Sequence, residues 1–198
     1  MKTRPSPRGR KLQLTITYRQ SYYIDLLARL EKLLRRKPCS LCIDMIGIGE
    51  IPADAALLIR SALITRDRKT RLIINARSSL QGASVLIWLL GDVRSIREDA
   101  LLYFRHTTLS EQQQAEQLEV LNYTAPKYRD SYSDPEDPEE WDYLRVLQLI
   151  NEYLPVKELA GRPIGGALLR QFGLIENEKV DGFLAAAFSK SDRSLVAL

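Results

Sequence analysis

Leu41-Cys42-Ile43-Asp44-Met45-Ile46-Gly47-Ile48-Gly49-Glu50-Ile51-Pro52 opens the stretch that decides the fold, and that stretch runs on to His106, the only histidine of the chain. An apolar helix follows from Ala53 to Ile64, then a second apolar strand, Arg71-Leu72-Ile73-Ile74-Asn75-Ala76. A polar elbow, Ser78-Ser79, leads to the small-residue run Gly82-Ala83-Ser84, an apolar helix to Leu90, and Gly91-Asp92. The strand Ala100 to Arg105 closes the stretch with His106 at its carboxyl end. Strand, glycine turn, helix, strand, small-residue turn, helix, strand is the pattern of βαβ units, which predicts an α/β domain with a mostly parallel sheet. In such sheets functional groups gather at the carboxyl ends of strands, beside helix N-termini. Both turns and His106 fall there.

On the amino-terminal side, Leu12 to Tyr18 alternates apolar and polar residues, the period of a strand with one buried face. Tyr22 to Arg36 carries Leu26, Leu27, Leu30, Leu33 and Leu34 on one helical stripe, and Pro38 ends it. Leu41 to Ile46 is apolar at nearly every position, which predicts a strand buried on both faces. Pro52 suits the first helical position, and the helix after it is expected to turn Leu57, Leu58 and Ala62 inward. Arg66 to Thr70 reads as a solvated return loop.

On the carboxyl side, Leu109 to Asn122 is a polar helix in which Ser110 and Gln113 suit a capping box. Residues 123–140 hold Pro126, Pro135, Pro138 and the acids Asp134, Glu136, Asp137, Glu139 and Glu140, and read as an exposed excursion. Trp141 to Leu154 is helical with Tyr143, Leu147, Ile150 and Leu154 inward, and Ala167 to Phe172 is a short helix closed by Gly173. The organisation expected is a basic flexible tail at 1–11 and a single α/β domain at 12–198.

Composition narrows the function classes. The chain has 198 residues, 45% of them hydrophobic, with a net charge of +4. No apolar run is long enough to span a bilayer and no signal-like segment opens it, so a cytoplasmic protein without a membrane partner is expected. Lys2, Arg4, Arg8, Arg10 and Lys11 form a solvated tail, and no basic stripe interleaved with aromatics argues for nucleic acid. The lone Cys39-x-x-Cys42 pair lacks the further ligands zinc requires and reads as two small buried hydrophobes. Gly47-Ile48-Gly49 lacks the third glycine of a dinucleotide loop. Neither a metal nor a cofactor is expected.

Four segments in order, Ile43 to Ala53, Gly82 to Asp92, Arg94 to His106 and Ala167 to Ile175, resemble the ClpP-type serine peptidases of the ClpP/crotonase superfamily. The resemblance implies a ClpP/crotonase-like βαβ spiral, a mostly parallel sheet flanked by helices. It also implies a serine nucleophile, a histidine base and an orienting acid. His106 takes the base position. The nucleophile position, nine residues before Gly91, falls on Gly82, and the acid position falls near Gly161, with Glu158 the nearest carboxylate. The amides of Gly49 and Ala83 take the places that would serve an oxyanion hole.

A ClpP-like subunit with an impaired site is therefore expected, in a homo- or hetero-oligomeric ring served by an AAA+ unfoldase, with a structural or regulatory role. An active peptidase acting on polypeptide through Ser84 or Ser79 with His106 is the alternative. A further one is a STAS-like regulatory binding module, which Asp44-Met45-Ile46-Gly47-Ile48 also resembles. The phosphorylatable hydroxyl of some such modules is missing here, where Pro52-Ala53-Asp54 stands.

Overall fold

The computed structural model describes residues 9–17, 19–47, 50–104, 138–159 and 162–175, the side chains of 138–141 and 157–158 excepted. Four parallel strands, β1 (Arg10–Thr15), β2 (Ser40–Ile46), β3 (Arg71–Ala76) and β5 (Val93–Ile96), lie side by side in the order β1-β2-β3-β5. A second, two-stranded parallel layer pairs β4 (Leu80–Gln81) with β6 (Leu102–Tyr103). Backbone bridges extend this layer to Glu50 on one side and Ile164 on the other. The crossovers are α1 (Gln20–Leu34), α2 (Ala53–Ile64) and α3 (Ala83–Leu89). After them come α4 (Pro138–Asn151), α5 (Val156–Leu159) and α6 (Gly166–Gln171).

One face of the main sheet forms the core. Leu12 and Leu14 of β1, Leu41, Ile43 and Met45 of β2, and Leu72 and Ile74 of β3 are all buried in one cluster with helices α1 to α4. Helix α3 is buried at every residue, as expected of a helix that is apolar all round. Tyr143, Leu147 and Ile150 of α4, with Leu154 beyond it, join the same core as expected, which ties the carboxyl half of the chain to the sheet. A STAS-sized domain would leave that half unaccounted for.

Several expectations need correction. Strand β1 begins at Arg10, so Arg10 and Lys11 pair with Leu41 and Cys42. Strand β2 is buried on one face only. Its alternate side chains, Cys42 and Asp44, are half-buried because that face carries a polar row. Asn75 donates to Asp44 Oδ1 at 2.7 Å and accepts from the Ser95 hydroxyl at 2.7 Å. Helix α2 turns Ala55, Ala56, Ile59 and Leu63 inward, and leaves Leu58 56% exposed. Its sequence is apolar nearly all round and so fixes no phase; alanines on the inner side permit close approach. Cys39 is exposed and Cys42 half-buried, so the pair is not two buried hydrophobes. Burial and the charge of Asp44 raise the Cys42 thiol pKa above its ordinary value. Helix α4 starts at Pro138, inside the expected excursion, and β6 is shorter than expected. The helix expected at 109–122 and the rest of the excursion lie outside the described residues.

The return loop after α2 is pinned at its ends, with Arg68 and Lys69 exposed between them. Arg66 Nη2 donates to both Asp92 carboxylate oxygens at 2.7 and 2.9 Å, and its other nitrogens hold the Leu63 and Thr70 carbonyls. Asp92 Oδ2 also accepts the Leu72 amide at 2.6 Å. At the other end, α6 closes with Gly173 at φ +67°, where the Leu174 amide reaches the Leu169 carbonyl at 2.9 Å and the Gly173 amide reaches that of Arg170. Arg94 clamps this end to α3 by donating to the carbonyls of Leu174 and Leu89.

Asp92→Ala removes the shared acceptor of Arg66 and Leu72 and is expected to cost about 1–2 kcal/mol in urea unfolding, since the pair is partly exposed. Tyr23 is 2% exposed, its hydroxyl donates to the Thr17 carbonyl at 2.6 Å, and burial pushes its pKa up to about 12. A pKa raised on folding gives stability that is whole below about pH 10 and is lost as pH climbs toward 12. Tyr23→Phe is therefore expected to flatten, without abolishing, the alkaline fall of stability in denaturant titrations between those limits.

Candidate functional site

The site forms where two turns at the carboxyl ends of strands meet. Leu80 pairs with Leu102 and Gln81 with Tyr103, and the Gly82 amide donates to the Tyr103 carbonyl at 2.9 Å. Residue 82 therefore packs beside the strand that leads toward His106. At Gly82 the chain turns sharply from β4 into α3 with φ +48° and ψ −123°. A strand-to-helix turn of this shape, strained for any residue but glycine, thrusts the side chain of its central residue out of the backbone, which is how serine hydrolases present a nucleophile. Here that residue is glycine.

A neighbouring carboxylate fills the place. Glu50 is only 3% exposed, and its Oε1 accepts the Ala83 amide at 3.1 Å. A Cβ built on Gly82 would collide with Oε1 and with the carboxyl carbon of Glu50. From α4, the Tyr143 hydroxyl donates to the Phe104 carbonyl at 3.0 Å. Burial first, and the nearby charge of Glu50 second, push its phenol well above the usual tyrosine range.

Gly82 and Ala83 lie at the turn from β4 into α3. Ser84 is fully buried in the first turn of α3, where its Oγ accepts the Ile51 amide at 3.2 Å. Ser79 Oγ accepts the Leu101 amide at 3.0 Å, and Ser78 donates to the Gly47 carbonyl at 2.8 Å. All three serine oxygens thus serve backbone groups. His106, Gly49 and Gly161 lie outside the described residues, as does the side chain of Glu158. Among the described residues, no three His, Cys, Asp or Glu side chains group as a metal site, and no helix is long and apolar enough to cross a membrane.

The part played by Glu50 escaped the sequence reading, because its contact with Ala83 spans 33 residues. A charged residue between Gly49 and the apolar Ile51-Pro52 was the available signal.

Among solved structures, the chain is similar to the ClpP protease catalytic domain from Plasmodium falciparum, at TM-score 0.52 and 14% identity over 86% of each chain. The fold is ClpP-like. ClpP1 from Listeria monocytogenes is also similar, at TM-score 0.49 and 10% identity over 84% of this chain and 88% of its own. No family model matches the sequence, and no curated protein sequence matches it.

Ser84→Ala strands the buried Ile51 amide. It is expected to cost about 1–3 kcal/mol in urea unfolding, which would mark Ser84 as a residue of the core.

Proposed function

We propose that this chain is a catalytically silent ClpP-like subunit with a structural or regulatory role in a ring assembly, formed with itself or with active relatives. The observation that supports silence is the sharp turn built around Gly82, a residue with nothing to attack with. The nearby hydroxyls of Ser84 and Ser79 are held by the amides of Ile51 and Leu101, which weighs against either as a substitute. In this reading His106 is the residue left at the base position, and Ala83 is the residue left at the oxyanion position. The ring role, an AAA+ unfoldase as partner and a cytoplasmic setting follow from the resemblance to ClpP-type subunits.

A fluorophosphonate serine probe tests silence on the purified full chain. No covalent labelling of the folded protein is expected. Labelling that is lost in Ser84→Ala or Ser79→Ala would establish the active-peptidase alternative instead. Sedimentation tests assembly: species larger than a monomer are expected at micromolar concentration, alone or mixed with an active ClpP, and a strict monomer in both samples refutes the ring.

A further inference from the structure

We infer that the Glu50 carboxylate is a built-in stopper of the turn at residue 82, occupying the volume a side chain there would need and engaging the Ala83 amide. The inference deepens the silent-subunit reading and rests on it for its meaning, but its geometry stands on its own. Three contacts close residues 50–51 onto residues 81–84. A backbone bridge joins Glu50 to Gln81, Glu50 Oε1 accepts the Ala83 amide at 3.1 Å, and Ser84 Oγ accepts the Ile51 amide at 3.2 Å. The second of these places a carboxylate where any side chain at position 82 would begin.

The two positions therefore act as a pair. A side chain at residue 82 must expel Glu50, which is 3% exposed, from its place beside the Ala83 amide. Moving a buried carboxylate away from its donor is costly. Shortening Glu50 has the opposite effect, opening space above Gly82 and leaving the Ala83 amide without this acceptor. In this arrangement the amide at the oxyanion position answers to the protein's own carboxylate rather than to a substrate. Restoring a nucleophile at residue 82 then takes two substitutions.

A double-mutant cycle tests the pairing on the full chain with Gly82→Ala, Glu50→Ala and the double variant. Alanine at 82 carries the strain of φ +48° in both backgrounds, so the collision with Glu50 is the difference between them. Gly82→Ala is expected to reduce the folding equilibrium constant about tenfold more when Glu50 is present than when residue 50 is alanine, a coupling of the size contacting residues show. Equal losses in the two backgrounds overturn the inference.

If an alanine variant does not fold, amide exchange at Ala83 gives the same answer. Glu50→Gln keeps an acceptor of the same reach, whereas Glu50→Asp is one methylene shorter. Exchange at Ala83 is expected to quicken about tenfold in the Asp variant, consistent with loss of a hydrogen bond, and to stay unchanged in the Gln variant. Unchanged exchange in both overturns the stopper. Because neither readout depends on labelling by the serine probe, the stopper and the silent-subunit reading fail separately.

Discussion

The structure depends on the closure of one turn against another. Strand β2 leads into residues 50–51 and strand β4 ends at Gly82, and these ends are joined by two side-chain-to-amide hydrogen bonds and a backbone bridge. A side chain at residue 82 would collide with this arrangement, because the carboxylate of Glu50 sits where a Cβ would go. The same turn starts α3, whose every residue is buried, so its geometry sets how the central helix enters the core. A glycine and a glutamate far apart in sequence thus fix the join between the main sheet and the second layer.

The regular elements were legible because their signals are local. Leucine spacing marked α1, Pro38 and Gly173 marked helix ends, and the inward register of α4 followed from Tyr143, Leu147 and Ile150. The turn into α3 was also readable, from the small-residue run Gly82-Ala83-Ser84 ahead of an apolar segment. The phase of α2 was not, since a helix rich in alanine, leucine and isoleucine offers little contrast between faces. The faces of β2 were misread for a related reason. Cys42 looks apolar, and Asp44 finds its partners about thirty residues away, in Asn75 of β3 and in Arg77 just beyond it.

The polar row across the main sheet has its own physical logic. Ser95 donates to Asn75 and Asn75 donates to Asp44, with Arg77 closing an ion pair at 3.4 Å on the same carboxylate. These bonds link β2, β3 and β5 at one level and penalise a slip of any strand past its neighbour. Parallel strands of branched apolar residues offer few other marks of register. One polar level supplies what the leucine and isoleucine side chains cannot.

The carboxylate above Gly82 also bears on how this turn tolerates change. A substitution at residue 82 alone meets overcrowding, and a shorter side chain at residue 50 alone withdraws an acceptor from the Ala83 amide. Each residue therefore limits what its partner position can become.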